Sequence, residues 1–186
     1  MPHWEVQNRP HFVTIRCAGT LPPETIRRLD EMHEALAKIV PQSPEFALMQ
    51  RLMFRTVEQQ LDRGTGFAPF STPALCEEFR VRLTELVPGD GWSVAHWAIM
   101  PNHVHLLLCP CRAAPTALRS TIARLKGGFA REANRTLGRS GAFWQSEWFD
   151  RWVRDEPEYA RTRTYIRQNP VKARLAPNWE SYPWVQ

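Results

Sequence analysis

Residues 100–108 read Met-Pro-Asn-His-Val-His-Leu-Leu-Leu, and this stretch is the most informative part of the chain. The apolar run that follows the second histidine is typical of a strand buried in a sheet. Side chains of a strand alternate between its two faces, so His103 and His105 point to the same face. Two imidazoles placed in this way can converge on one divalent metal. The stretch therefore predicts an internal strand that carries a metal site.

The sequence on either side predicts the rest of an α+β domain. Residues 92–99 predict the other strand of an antiparallel hairpin, joined to the first through residues 100–102. Pro170 disfavours helical geometry in the residue before it, so the last helix is predicted to end near Asn169. The remaining patterns predict strands at 11–17 and 143–154, and helices at about 22–40, 45–62, 73–86, 116–137 and from 156 onward. No repeat or linker divides the chain, which favours one domain.

Composition limits the class of protein. The 186 residues are enough to bury one substantial core, and no apolar run is long enough to predict a transmembrane helix. The first residues lack the basic and apolar pattern of a secretory signal. Without such a signal, the four cysteines are expected to be reduced thiols. These features predict a cytoplasmic protein with no membrane partner.

Basic residues are concentrated in one part of the chain. Residues 112–174 contain 14 Lys and Arg but only 6 Asp and Glu, and 21 of the 24 basic residues of the whole chain are arginines. Guanidinium groups bind phosphates and stack on bases. Tryptophans at 144, 148 and 152 interrupt this basic region. The combination is typical of a nucleic-acid surface, although core tryptophans and a merely solvated charged face remain the alternative.

A second pair of residues suggests chemistry on phosphate. Tyr165 and Asn169 are four residues apart on the last predicted helix, so they lie on one face. A phenol has a pKa of about 10 and must be activated before it acts as a nucleophile. A divalent ion bound to a phosphate oxygen stabilises the charge that develops during attack. The amide oxygen of Asn169 is a hard ligand of the kind that Mg²⁺ or Mn²⁺ prefers.

A structural zinc site is the rival interpretation of the histidine pair. His103, His105, Cys109 and Cys111 are the residue types that bind zinc. At about 3.3 Å per residue, however, an extended strand would hold His105 and Cys109 about 13 Å apart. Only a sharp turn at Pro110 could bring Cys111 back. The spacing therefore argues against zinc without excluding it.

Five segments in order along the chain carry a family resemblance: 2–6 (PHWEV), 11–14 (HFVT), 100–107 (MPNHVHLL), 144–145 (WQ) with 149–151 (FDR), and 165–173 (YIRQNPVKA). Together they resemble the single-tyrosine HUH transposases, specifically the REP-associated tyrosine transposases. The resemblance covers essentially the whole chain. Arg174 stands where many relatives have glycine, and the difference is expected to alter the turn after the last helix.

The resemblance implies a fold and a site. It implies one domain over 1–186 with a ferredoxin-like antiparallel sheet, extra helices inserted after the first strand, and a C-terminal tail from about 175. It implies that His103 and His105 bind Mg²⁺ or Mn²⁺, that Asn169 completes the metal shell, and that Tyr165 is the nucleophile. Relatives cleave single-stranded DNA beside a hairpin and leave a 5′-phosphotyrosine and a free 3′-OH.

The expected partner is single-stranded DNA with REP-like palindromic hairpins, bound by a nucleoid-associated monomer or homodimer. The residues expected to contact DNA are Arg124, Lys126, Arg131, Arg135, Trp144, Arg154, Arg167 and Lys172. The alternative function is a DNA- or RNA-hairpin-binding protein that has the same fold but no catalytic activity. Such a protein would be indifferent to the loss of the Tyr165 hydroxyl.

Overall fold

Four strands and five helices make up the computed structural model, which describes residue 6 and residues 8–40, 43–64, 66–112 and 115–186. They are β1 (His11–Arg16), α1 (Pro23–Leu36), α2 (Pro44–Leu61), α3 (Pro73–Gly89), β2 (Trp92–Met100), β3 (His103–Pro110), α4 (Leu118–Thr136), β4 (Phe149–Trp152) and α5 (Glu156–Lys172). Among the described residues, no helix is long and apolar enough to cross a membrane. Segment 2–6 of the family resemblance lies outside the described residues except for Val6.

The strands form one antiparallel sheet in the order β2-β3-β1-β4. The hairpin predicted at residues 92–109 is the β2-β3 pair, and β3 lies inside the sheet between β2 and β1. This is the ferredoxin-like arrangement, and α1 and α2 are inserted between β1 and the first helix of the core, α3. The predicted fold class is confirmed.

The two faces of the sheet pack against different helices. On one face, Ile15, Val104 and Leu106 are fully buried against α3 and α4. On the other face, Phe12 and Leu107 pack with Ile166 of α5. Burying each such side chain contributes roughly 1.5–3 kcal/mol. Side chains two residues apart on a strand point to the same face, so His103 and His105 share a face with Leu107. The two histidines therefore lie on one face, as predicted, and it is the face covered by α5.

Helices α1 and α2 form a hairpin around an apolar cluster of their own, which includes Leu29, Leu36, Met53 and Leu61. Ser43 begins α2 by accepting a hydrogen bond from the Phe46 amide, 3.1 Å away, through its hydroxyl. The opposite side of α2 carries Phe54, whose ring packs 4.7 Å from that of Phe149 in β4. Through this contact the inserted hairpin covers part of the α5 face of the sheet.

Two predicted boundaries are wrong. The strand predicted over 143–154 is confined to β4, and Trp144 makes only an isolated bridge to Cys17. The carbonyls of Gln145 and Ser146 accept hydrogen bonds from the Lys126 ammonium at 2.8 and 2.9 Å, so this segment turns toward α4. The last helix also continues past its predicted end near Asn169.

Pro170 lies inside the last turn of α5 and does not end it. Its ring removes only one backbone donor, and the turn is held by hydrogen bonds beyond it. Ala173 donates to the Asn169 carbonyl at 2.9 Å, and Leu175 donates to the Pro170 carbonyl at 2.8 Å. Both Asn169 and Pro170 are buried. Burial and these hydrogen bonds together offset the steric preference that the sequence prediction relied on.

The turn after α5 holds Arg174 in the left-handed region, with φ of 58°. Glycine adopts this conformation without steric cost, and it commonly ends helices for that reason. The expected alteration of the turn is therefore absent, because arginine adopts the conformation that suits glycine. The side chain is exposed and gains no buried contact in return.

We expect Arg174→Gly to raise the free energy of unfolding by about 0.5–1 kcal/mol, because a left-handed residue with a Cβ is strained. Urea unfolding measures the change. Arg131→Gly, which removes an exposed arginine from the interior of α4, is the matched control and should lower stability by about 1 kcal/mol. Equal losses in both variants would contradict the assignment of strain to Arg174.

Candidate active site

Two buried histidines of β3 form the centre of the site. The Nδ1 atom of His103 lies 2.7 Å from Asn102 Oδ1, and that of His105 lies 2.8 Å from Thr14 Oγ1. The Asn102 amide nitrogen donates to the Leu61 carbonyl, so its oxygen is left to accept from His103. These contacts fix the ring orientations and leave the two Nε2 atoms facing each other at 3.1 Å.

Burial keeps both imidazoles neutral. Loss of water lowers the pKa of His103 to about 3, with a smaller contribution from the positive charge of Lys172. Burial likewise holds the pKa of His105 well below its ordinary value, and His103 and Lys172 add to the effect. A neutral imidazole has a lone pair available for a metal ion. The pair is therefore in the protonation state that metal binding requires.

Glu58 is the acidic member of the site, and the sequence prediction missed it. This residue of α2 is only 3% exposed, and its Oε2 lies 3.5 Å from His105 Nε2. Glu58, His103 and His105 each offer one ligand atom, and the three atoms lie within 4.8 Å of one another. Burial, followed by the charge of Asp62, raises the pKa of Glu58 to about 8, against smaller lowering effects of Lys172 and Asn169.

One sequence signal could have identified Glu58. It lies beside the apolar stripe of α2, four residues after Phe54 and three before Leu61. Glutamate is almost never fully buried unless it has a partner. An acidic side chain at the margin of a predicted core stripe therefore indicates a buried partner, although the sequence does not say which one.

The α5 residues predicted to share a face do so, and both point toward Glu58. The Tyr165 hydroxyl donates a hydrogen bond to Glu58 Oε2. The tyrosine ring packs edge-on against His105, with ring centroids 5.3 Å apart, and against Phe12. Asn169 is buried one turn further along α5. The helix thus brings the predicted nucleophile to the predicted metal ligands.

Several buried polar atoms at the site have no hydrogen-bond partner. They are Glu58 Oε1 and both polar atoms of the Asn169 amide. Buried polar groups are normally satisfied, so unpaired ones call for an explanation. The group combines carboxylate, amide and neutral imidazole ligands, all compatible with a divalent metal. The donor set therefore fits the metal site expected from the sequence.

The structure places the predicted zinc cysteines away from this group. Among the described residues, the histidine pair is joined by Glu58 and not by Cys109 or Cys111. Cys111 is exposed, and Cys109 follows the buried part of β3. The site therefore contains the oxygen and nitrogen ligands of the first interpretation.

The residues predicted to contact DNA are divided between four environments. Arg154 and Lys172 line a cleft that opens beside Tyr165, while Arg167 stacks over the Trp179 ring at 4.5 Å. Lys126 and Trp144 are buried and hydrogen-bonded to backbone carbonyls, so both act as structural groups. The remaining three are exposed on α4, across the sheet from Tyr165: Arg124, Arg131 and Arg135.

Comparison with known proteins agrees with this geometry. The family described as "Transposase IS200 like" matches residues 70–169. This chain belongs to the IS200-like transposase family. The matched range contains His103, His105, Tyr165 and Asn169, whereas Glu58 lies before it. The acidic member of the site is therefore supplied by the inserted helix α2, outside the matched range.

Individual relatives confirm the resemblance to REP-associated tyrosine transposases. A protein of that name from Haemophilus influenzae is 34% identical over 105 residues, which cover 51% of this chain and 58% of the relative. A solved REP-associated tyrosine transposase bound to a REP hairpin shares the fold, with a TM-score of 0.59 and 14% identity over all of this chain and 80% of that chain. A transposase structure from Deinococcus radiodurans aligns less well, with a TM-score of 0.41 and 14% identity over 91% and 96% of the two chains.

The raised pKa of Glu58 predicts a pH-dependent stability of the metal-free protein. The unfolded chain releases the Glu58 proton near pH 4.5, while the folded chain retains it to about pH 8. The stabilising contribution is full below the unfolded value and is lost as pH rises through the folded value. We therefore expect Glu58→Gln to become more stable than wild type across this interval, by up to about 1.4 kcal/mol per pH unit.

Urea unfolding in EDTA at several pH values measures this difference. Glu45→Gln, which removes an exposed carboxylate from the first turn of α2, separates the effect from a general change in charge. A difference between Glu58→Gln and wild type that does not vary with pH would show that Glu58 is not held as a neutral acid.

Proposed function

We propose that this IS200-like transposase cleaves and rejoins single-stranded DNA beside a hairpin, with Tyr165 as the nucleophile. The observation that carries the proposal is the hydrogen bond between Tyr165 and Glu58, next to two neutral imidazoles. A phenol, a buried base and a metal-binding group meet at one point from α5, α2 and β3. The hairpin substrate is inferred from the related structure bound to a REP hairpin.

The cleavage step transfers one phosphoryl group. The Tyr165 oxygen attacks the phosphorus of the scissile phosphodiester, and the phenol proton moves to Glu58 Oε2. The bond from phosphorus to the 3′-oxygen breaks, and that oxygen gains a proton from a water molecule, which Glu58 reprotonates with the phenol proton, so that a free 3′-OH is released. The product is a 5′-phosphotyrosine. Because this bond retains the energy of the broken linkage, a 3′-OH can attack it and rejoin the strand without ATP.

Glu58 is suited to take the phenol proton. In the metal-free protein, burial raises the pKa of Glu58 to about 8, so the ionised fraction of Glu58 is the form that accepts the proton, and a bound cation would increase that fraction. A carboxylate at its ordinary pKa would be a weaker base toward a phenol. The ring contacts with Phe12 and His105 orient the tyrosine before the substrate binds.

The chain's own ligands would hold a divalent ion, Mg²⁺ or Mn²⁺. His103, His105 and Glu58 form the core of this set, and Asn169 supplies an amide at its edge. When bound, the ion would neutralise charge on the phosphate oxygens during attack. Thr14 and Asn102 fix the imidazole orientations through Nδ1 and so act as positioning residues.

A covalent-adduct assay tests the nucleophile. Purified protein is mixed with labelled hairpins carrying single-stranded flanks and with Mn²⁺ or Mg²⁺, then separated on a denaturing gel. We expect a protein–DNA band that is lost with Tyr165→Phe or with EDTA. Tyr159→Phe is the matched control, because Tyr159 lies near the start of the same helix, and it should retain the band.

Two outcomes of this assay would overturn the proposal. A band that survives Tyr165→Phe would show that another residue is the nucleophile. Hairpin binding with no adduct under either ion would favour the alternative function, a hairpin-binding protein without catalytic activity.

Thr14→Val tests how the metal site is positioned. The substitution removes the hydroxyl that orients His105 while keeping the size of the side chain. We expect Mn²⁺ affinity, measured by calorimetry, to fall about tenfold or more. Thr84→Val, at an exposed position of α3, should leave the affinity unchanged. If Thr14→Val binds Mn²⁺ with unchanged affinity, His105 is not a ligand of the metal.

A further inference from the structure

A cleft of about 890 Å³ lies between α2 and the β4-α5 region and opens beside Tyr165. Its volume is in the range of ligand sites, about 300–1,000 Å³. Glu58 and Tyr165 line it on the side of the candidate active site. The α2 wall belongs to the inserted hairpin, outside the residues that match the family. The cleft is therefore lined on one side by residues outside the matched range and on the other by residues within it.

Arginines from both walls are clustered at this cleft. Arg151 and Arg154 both bind Glu158, at 2.9 and 3.1 Å. Burial lowers the pKa of Arg151, Glu158 opposes that shift, and Arg154, Arg161 and Arg51 lower the pKa further. Two guanidinium groups thus share the Glu158 carboxylate, and the cleft lining as a whole holds five basic and three acidic side chains, which leaves it net positive. This cluster matches an anion of more than one charge.

Two arginines of α2 are unpaired within the described part of the chain. Arg51 and Arg55 line the cleft, both are exposed, and neither makes a hydrogen bond or ion pair with another described residue. They are four residues apart, so their side chains share one face of α2. Their like charges raise the energy of the empty cleft slightly, and a bound anion would relieve that repulsion.

Aromatic side chains form the apolar part of the same cleft. Phe54 and Phe149 pack against each other, and Trp152 and Tyr165 complete the lining beside them. Bases stack on aromatic rings with little dependence on sequence, each worth about 1–3 kcal/mol. A surface with arginines at one side and aromatic rings at the other matches a nucleotide, which has an anionic phosphate and an apolar base.

We propose that this cleft binds the single-stranded nucleotides that flank the scissile phosphate. The phosphates contact Arg51, Arg55 and the Arg151 cluster, and a base packs against Phe54 and Trp152. The identity of the strand as DNA rests on the proposed function. Because the cleft opens beside Tyr165, a strand bound in it leads directly to the nucleophile. The inserted hairpin then has a role in substrate binding in addition to supplying Glu58.

The test measures DNA binding under conditions that prevent cleavage, so its result does not depend on the cleavage proposal. Tyr165→Phe protein in EDTA is titrated into fluorescein-labelled DNA hairpins that are blunt or carry a short thymidine tail on the 5′ or the 3′ side. In this background, Arg51→Glu with Arg55→Glu should weaken binding of a tailed hairpin about tenfold and reduce the slope of affinity against salt by about 2. Binding of the blunt hairpin should change less than twofold.

Arg27→Glu with Arg28→Glu is the matched control, because it makes the same change in charge at exposed positions of α1. We expect it to leave tail-dependent binding within twofold. A second readout uses tails that contain 5-iodouracil, which cross-link to nearby aromatic rings on irradiation. Peptides containing Phe54 or Trp152 should carry the cross-link.

Three results would overturn the proposal: tails that add nothing to binding, equal losses in the two double variants, or cross-links confined to α4. A failed adduct assay together with tail-dependent binding through Arg51 and Arg55 would retain the cleft and remove the cleavage mechanism. A strong adduct with tail-independent binding would retain the cleavage mechanism and remove the cleft as a binding site.

Discussion

The site depends on bringing a buried carboxylate and two buried imidazoles against a half-buried phenol, between the sheet and two helices. Burial is costly for charged groups, and the protein meets this cost by keeping the histidines and Glu58 largely neutral. Neutral groups can be packed against Phe12 and the Tyr165 ring like other core residues. The same burial leaves the imidazole lone pairs available, and it raises the pKa of Glu58 so that this carboxyl exchanges its proton near neutral pH.

The sheet determines which side chains can meet in this space. Strand alternation places both histidines on the face covered by α5, and the register pairs His105 with Thr14 of the neighbouring strand. A shift of one residue in that register would turn the histidines into the α3-α4 core. The apolar residues between and after them, including Val104 and Leu106, fix the register because they fill that core.

The sequence predicted the parts of the site that follow from local periodicity. Alternation in β3 identified the histidine face, and helical spacing placed Tyr165 with Asn169. Glu58 was missed because its role depends on how an inserted helix docks, which no local pattern records. Lys126 and Trp144 appeared to be surface groups for a related reason. Only the tertiary structure shows that the Lys126 ammonium binds backbone carbonyls and that Trp144 packs in the core. The contributions to DNA binding of the other six residues stay predictions: Arg124, Arg131, Arg135, Arg154, Arg167 and Lys172.

The contact between Glu58 and Tyr165 joins residues 107 positions apart in the chain. Contacts of such separation form late in folding, because a long loop must close before they are made. A nascent chain would therefore present Glu58 and the α2 wall of the cleft before the tyrosine is made, and the two groups meet only when α5 docks. The complete site therefore exists only once the two ends of the chain have packed on the same face of the sheet.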